Sequence, residues 1–331
     1  MARLTDLDEV LFAVEEHPVF VSLQQDGREH RLAVPEKKAI VNCSNQHVLG
    51  VVGRAYRLVS NKEALELAYK CCRTIFPETS PGEWAVNTVD APSTAGYCHI
   101  DLAHNSTVLD FNSVAPDQRP DVYGPFIRVT NSYNGLRALG FEVGFYRKVC
   151  KNGMIVPDTI VRFNFTHAQR EIGETIQFHI AQDRLARFKA SFKDSLANLR
   201  RCDVKLSEFE QIIHTVLMLH PPEPMIPGAP QERDWQALNV HLDEMSTRYA
   251  GELGNNAYAV FNTVTEFASR PPDNRCVHRD RHSLQRLAGA WLTSFNQDCR
   301  MPDFSIRRHL EKLAYERSKT KHFGVQRLLE S

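Results

Sequence analysis

Two histidines and an aspartate lie close together in the segment Cys98 to His104, and side chains of these types can bind a metal ion. A metal-dependent hydrolase built on His99, Asp101 and His104 is therefore one hypothesis. On a strand, residues 99 and 101 share a face, whereas residue 104 lies on the other face unless a turn intervenes. The spacing favours an ordinary half-buried strand, because zinc sites usually show tighter Cys/His spacing.

A second candidate metal cluster comprises Cys276, His278 and His282. Three cationic side chains that would repel a metal ion share this segment: Arg275, Arg279 and Arg281. The pattern thus favours a solvated basic loop. The sequence also lacks a phosphate-binding P-loop, a Gly-x-Ser-x-Gly motif, a His-Glu-x-x-His motif and a Gly-rich dinucleotide fingerprint. We therefore predict no cofactor and assign no catalytic residue.

Aromatic residues are interleaved with Arg147 and Lys148 in the segment "VTNSYNGLRALGFEVGFYRKVCKNGMIV", Val129 to Val156. Asn-Gly pairs at 134–135 and 152–153 favour turns, and these turns set the register of the strand between them. If Phe145 faces the core, Tyr146 and Lys148 face outward, where the ring can stack on a base and the ammonium can contact phosphate. The alternative is that helices cover this face and Tyr146 belongs to the core.

Basic side chains also cluster on a predicted helix near residues 184–201 and in the loop after residue 275. Lysine and arginine bind phosphates, and aromatic rings stack on unpaired bases. We expect nucleic-acid contacts from nine residues: Tyr133, Tyr146, Arg147, Lys148, Arg184, Arg187, Lys193, Arg279 and Arg281. The alternative is that these basic helices are simply solvated or are paired with carboxylates.

Overall composition limits the possible partners. The 331 residues contain 40 Lys and Arg against 40 Asp and Glu, so any attraction to nucleic acid must come from a local patch. No stretch approaches the roughly 18 apolar residues of a membrane span, and the acidic start lacks the apolar segment of a secretory signal. The eight cysteines form no Cys-x-x-Cys pair. We expect free thiols and a cytoplasmic protein without membrane contact.

The hydrophobic pattern divides the chain once. Short β-type segments fill residues 18–165, interrupted by one helix at about 60–76 whose Ser60 and Glu63 have capping-box spacing. Helical periodicity takes over after Thr166, with a proline-rich loop at 220–230. The sequence predicts an α+β protein with a β-rich antiparallel domain at 1–170 and a helical domain at 171–331.

The segment from Val129 to Val156 resembles the phage/plasmid-like protein family. Members commonly carry an Asn-Ser-His-Asp-Gly turn and then an Arg-Val-Val-Cys-Thr-Asn strand. Arg147, Val149, Cys150 and Asn152 match the second element, whereas Tyr and Asn replace His and Asp in the first. That departure argues against a catalytic His-Asp pair.

Three further segments resemble the same family in the same order: "YRLVSNKEAL" (56–65), "NNAYAVFNTVTEFASR" (255–270) and "LAGAW" (287–291). The resemblance implies a setting in phages, plasmids and integrated elements, and it implies no settled biochemical activity.

We therefore expect a protein that binds nucleic acid, foremost single-stranded DNA, in replication, recombination or phage–host conflict. The alternatives are the metal-dependent hydrolase and a non-enzymatic module that binds a host or phage protein through its helical part. The sequence leaves open whether the protein forms a homo-oligomer.

Overall fold

The computed structural model describes residues 3–25, 28–105, 109–110, 122–147, 152–155, 162–165 and 174–329. The strands are β1 (Arg3–Leu4), β2 (Val14–Gln25), β3 (Arg28–Asn42), β4 (Val48–Gly53), β5 (Trp84–Pro92), β6 (Tyr97–His104), β7 (Leu109–Asp110), β8 (Val122–Ser132), β9 (Leu139–Arg147), β10 (Asn152–Ile155) and β11 (Arg162–Phe165). The helices are α1 (Asn61–Ile75), a 3₁₀ turn (Pro81–Glu83), α2 (Glu174–Arg201), α3 (Leu206–Leu217), α4 (Pro230–Leu253), α5 (Ala257–Ser269), α6 (Arg281–Asp298) and α7 (Ile306–Leu329).

The predicted α+β class and the change from strands to helices are confirmed. The larger sheet has the order β1-β5-β6-β8-β9-β10, with β7 beside β8 and β11 beside β9, and the smaller sheet has the order β2-β3-β4. Beyond β11, the described residues pair as strands only at an isolated bridge between Asp203 and Asn256. None of the helices in the described part of the chain combines the length and apolar character needed to cross a membrane.

The chain forms two compact units, each assembled from three segments. The first unit comprises Met1–Leu109, Gly124–Gly144 and Asp158–Ala186, and the second comprises Asp110–Tyr123, Phe145–Pro157 and Arg187–Ser331. The first contains the β2–β3 hairpin and most of the larger sheet, and the second contains α3 to α7 with β10.

In the first unit, α1 begins where its sequence predicts. The Ser60 hydroxyl accepts a hydrogen bond from the Glu63 backbone N–H, and the Glu63 carboxylate accepts one from the Ser60 backbone N–H. This capping box satisfies amide groups that the first helical turn leaves without partners. The buried face of α1 contacts β6 on the side that carries Cys98, Ile100 and Leu102. This side is identified by Asn131, which lies directly opposite Cys98 and donates a hydrogen bond to Asn61 of α1.

In the second unit, α5 is the central helix. Nearly all its side chains are buried, and it contacts α4, α6 and β10. Helix α6 comes so close to β10 that a Cβ atom on Gly289 would lie 1.8 Å from the Ile155 carbonyl oxygen. Only glycine leaves room for this approach of a helix to a strand backbone.

Candidate functional site

The face of the larger sheet opposite α1 carries a row of polar side chains, which we call the polar strip. Because directly opposed residues of antiparallel strands share a face, the pairs Asp90–His99, His99–Thr130 and Asp101–Arg128 place all these side chains on one side. Tyr97, two residues before His99, continues the row. The strip therefore consists of Asp90, Tyr97, His99, Asp101, Arg128 and Thr130.

A charged pair occupies the buried part of the polar strip. Arg128 donates from Nε to Asp101 Oδ1 at 2.6 Å and from Nη2 to Asp101 Oδ2 at 2.7 Å, and each side chain is only 2% exposed. Two parallel hydrogen bonds fix both planar groups and compensate for the loss of hydration. The Arg128 guanidinium also lies 5.7 Å from the centre of the Phe126 ring. This pair therefore holds β6 and β8 in register.

The polar strip reaches solvent at its other end. His99 Nδ1 lies 2.7 Å from Thr130 Oγ1, and the His99 ring centre lies 5.6 Å from that of Tyr97. The guanidinium of Arg137 lies 4.5 Å from the Tyr97 ring centre. Arg3, which is exposed, forms an ion pair with Asp90. We call Arg3, Tyr97 and Arg137 the open end of the strip, because Tyr97 and Arg137 are only partly buried.

The proposed metal ligands His99, Asp101 and His104 are not brought together. His104 lies on the opposite face of β6, where its ring packs edge-on against Trp84 at 5.1 Å and its Nε2 lies 3.3 Å from Glu83 Oε2. In the second segment, Cys276 and His282 are buried whereas His278 is exposed. Across the described ranges, no group of three or more His, Cys, Asp or Glu side chains is placed to hold a metal ion.

The prediction of a solvent-accessible face around Tyr146 is wrong. Phe145 stacks on Phe192 of α2 with ring centres 5.5 Å apart, and the Tyr146 ring lies against Gly153 of β10, where a Cβ atom would approach it to 2.6 Å. Both sides of β9 are therefore covered here, and Tyr146 is 6% exposed. A base cannot stack on a ring that the protein already covers, so the alternative that Tyr146 belongs to the core is correct.

Tyr133 is also part of the core. It has no exposed surface, and its hydroxyl accepts a hydrogen bond from the Asn61 backbone N–H at 2.9 Å. Burial raises the pKa of the phenol, although the hydrogen bond from Asn61 opposes the shift. The ring contributes to the first unit's packing and offers no surface for stacking.

The predicted basic contacts separate into buried and exposed groups. Arg147 is buried, and it donates from Nη1 to Asn262 Oδ1 at 3.0 Å. Arg187 and Lys193 are exposed on α2. Arg279 and Arg281 are partly buried, and Arg279 Nη2 lies 3.3 Å from the Met218 sulfur. Lys148 and the side chain of Arg184 lie outside the described residues.

The segments that carry the family resemblance contact one another within each unit. In the first unit, "YRLVSNKEAL" meets "NSYNG". Asn131 donates from Nδ2 to the Val59 carbonyl at 2.9 Å and to Asn61 Oδ1 at 2.8 Å, and the Tyr56 hydroxyl donates to the Ser132 carbonyl. These contacts join the start of α1 to the end of β8.

In the second unit, β10 meets α4 and α5. Asn152 donates to the Tyr249 hydroxyl at 2.8 Å, and the Gly153 backbone N–H donates to Ser269 Oγ at 2.8 Å. Glu266 accepts hydrogen bonds from Arg248 and Tyr249. Burial raises the pKa of Glu266, but these two donors outweigh burial, so the net shift is downward and the carboxylate stays ionised. The segments that carry the family resemblance thus stabilise the fold of each unit through these hydrogen bonds.

A family model, described as a domain of unknown function (DUF932), matches residues 48–291. The chain belongs to this family. The matched range includes all the contacting segments described above and the polar strip. No curated protein matches the DUF932 chain, and no solved structure matches it. The family description names no activity, so the activity must be argued from the site.

Local sequence patterns do not reveal the open end of the polar strip. Alternation on a strand correctly places His99 and Asp101 on one face. Asp101 lies opposite Arg128 because of the register between β6 and β8, and 17 residues lie between these two strands in the sequence. The contact between Arg137 and Tyr97 depends on the path of the loop that follows β8. Periodicity within one strand does not predict such pairings.

Proposed function

We propose that this DUF932 protein binds nucleic acid, foremost single-stranded DNA, and that the open end of the polar strip contributes to the interface. The observation that supports this proposal is the Arg137 guanidinium held 4.5 Å from the Tyr97 ring at a partly solvent-accessible position. Bases stack on tyrosine rings and on guanidinium planes, and the positive charge attracts phosphate. Arginine, aromatic ring and solvent access thus coincide at one place.

Within the open end, the Arg137 guanidinium and the Tyr97 ring lie side by side, so one ligand can reach a cation and a stacking surface together. Arg3 adds a second guanidinium, whose charge is partly offset by its ion pair with Asp90. Single-stranded nucleic acid fits this arrangement better than a duplex, because its bases are free to stack.

The resemblance to phage and plasmid-like proteins supports a role in replication, recombination or phage–host conflict. The proposal places the protein in the cytoplasm, where reduced thiols persist. The seven cysteines in the described part of the chain are all free, as this location requires.

The proposal is tested by fluorescence anisotropy with labelled single-stranded DNA, duplex DNA and single-stranded RNA, each titrated at about 50 and 200 mM salt. Replacing Tyr97 with Ala should weaken single-strand binding by roughly 1–3 kcal/mol. Replacing Arg137 with Ala should weaken binding and also reduce the salt slope by about one. Arg233→Ala, which removes the same charge from the surface of α4, is the matched control and should leave binding unchanged.

Two results would contradict the proposal at different levels. If the wild-type protein binds no oligonucleotide at low salt, nucleic-acid binding is wrong. If it binds and the Tyr97 and Arg137 variants bind equally well, the location is wrong. The double variant Arg187→Ala with Lys193→Ala then tests the exposed basic face of α2, where a flatter salt slope is the expected sign of phosphate contact.

A further inference from the structure

The outer part of the β2–β3 hairpin, residues 18–25 and 28–37, forms a two-stranded ribbon with solvent on both faces. Such ribbons are only marginally stable in water, because they bury little apolar surface. Large apolar side chains nevertheless project from this one. Their exposed fractions are 53% for Phe20, 46% for Val21, 46% for Leu23 and 54% for Leu32. Apolar groups gathered on an exposed element indicate a surface that another molecule covers.

The apolar side chains are concentrated on one face of the ribbon. Val21 lies directly opposite Leu32, so the two share a face, and Leu23 lies on the same face two residues further along β2. Phe20, opposite Ala33, lies on the other face. The charged side chains of this region lie on β3, where Arg28, Glu29 and Arg31 alternate in sign.

Strand β2 is the edge of its sheet, and its outer half lacks the usual protection of an edge. The order β2-β3-β4 leaves one side of β2 without a strand among the described residues. Proteins commonly protect such edges with lysine, proline, bulges or other charged side chains. Here Pro18 and the bulge between Pro18 and Phe20 protect only the start, and the segment "PVFVSLQQ" to Gln25 contains no charged residue. Its backbone is therefore suited to pairing with another strand.

We infer that a second copy of this chain pairs with β2 in antiparallel fashion about a two-fold axis at Val21. In this register Val21 lies opposite Val21 of the second copy, and Val19 of each copy lies opposite Leu23 of the other. Apolar side chains of the two ribbons meet on one face, and no like charges oppose each other between Pro18 and Gln24.

A second copy fits this edge better than a charged partner does. The segment from Val19 to Leu23 has apolar residues at both ends and at its centre, so it is complementary to itself when reversed. The chain also has equal numbers of acidic and basic residues, 40 each, so two copies experience no net repulsion on approach. The inference is independent of nucleic-acid binding.

Light scattering coupled to size exclusion, performed on the full chain over a range of concentrations, measures the association. Wild type should be a dimer. Val21→Lys and Val21→Glu should each dimerise at least roughly tenfold more weakly, because each places like charges opposite one another. An equimolar mixture of these two variants should recover the dimer, because lysine then faces glutamate.

Val51→Lys is the matched control. Val51 is 50% exposed on β4 of the same sheet, away from the β2 edge, so this variant should dimerise like the wild type. Circular dichroism should show unchanged folding, because Val21 is about half exposed. A monomeric wild type, an undiminished dimer in Val21→Lys, or a mixture that stays monomeric would each overturn the inference.

Discussion

Replacing Gly289 with alanine should destabilise the protein, although alanine is the better helix former. In a solvent-exposed helix interior this change stabilises by about 1 kcal/mol. At position 289 the added Cβ would lie 1.8 Å from the Ile155 carbonyl oxygen and 2.9 Å from its carbon, whereas real Cβ atoms essentially never come closer than 3.0 Å. Helix α6 would have to retreat from β10 by about 1.2 Å, the difference between 3.0 and 1.8 Å.

The magnitude follows from two opposing contributions. Overpacking of a well-packed site costs roughly 1–3 kcal/mol and occasionally more. The upper part of that range applies, because the obstacle is backbone and no side-chain rotation relieves it. Subtracting about 1 kcal/mol for helix propensity leaves a net loss of about 2 kcal/mol. For a unit of this size, that loss lowers Tm by roughly 4–8 °C.

Thermal unfolding followed by circular dichroism is the assay. Gly251→Ala provides the control, since Gly251 lies exposed in α4 and a Cβ atom added there would meet nothing within 4 Å beyond its own helical turn. The control should raise Tm slightly through helix propensity. If Gly289→Ala equals or exceeds the wild type in stability, the close contact between α6 and β10 does not govern this position.

Three further predictions concern a buried ion pair, a histidine and the cysteines. Arg128→Ala should lower the unfolding free energy by about 3–5 kcal/mol because it leaves Asp101 buried without its partner, whereas Arg128→Met combined with Asp101→Leu should recover most of the loss in urea unfolding. Burial lowers the pKa of His309 from its ordinary 6.5 despite the nearby carboxylate, so the unfolded chain binds the proton more readily and stability should fall as the pH drops below that value. Burial also lowers the pKa of His214, which makes stability depend on pH in the same direction. Thermal unfolding of wild type and His309→Gln at several pH values isolates the part of the pH dependence that His309 contributes. An equal dependence of stability on pH in the two proteins would contradict the role of His309. Thiol titration of denatured, unreduced protein should find all eight cysteines free, and any shortfall would reveal a disulfide.

The contact of His309 with its neighbours gives the pH prediction its structural basis. His309 Nε2 lies 3.1 Å from Trp291 Nε1, which can only donate, so Nε2 accepts and carries no proton. His309 Nδ1 lies 2.7 Å from Asp298 Oδ2 and donates to it. Protonation of Nε2 would place two N–H donors, those of Trp291 Nε1 and His309 Nε2, opposite each other. The hydrogen bond would then be lost, and the contact between α6 and α7 would loosen.

The order and type of the elements can be predicted from local patterns in the amino-acid sequence. Period-two patterns up to residue 165 predict strands, and period-three-to-four patterns beyond 174 predict helices, because these patterns reflect which side chains share a face of one local element. The capping box of Ser60 and Glu63 likewise acts within one helical turn, and it located the start of α1 correctly.

Which faces are covered depends on the tertiary structure. The segment around Tyr146 looks like an exposed strand face because aromatic and basic residues are adjacent there, yet α2 and β10 cover its two sides. Conversely, "VFVSL" looks like an ordinary core strand but lies in a solvated ribbon. Local periodicity determines which side chains point together, whereas burial depends on elements that are distant in sequence. For the same reason Arg128 could not be assigned to Asp101 until the register of β6 and β8 was known.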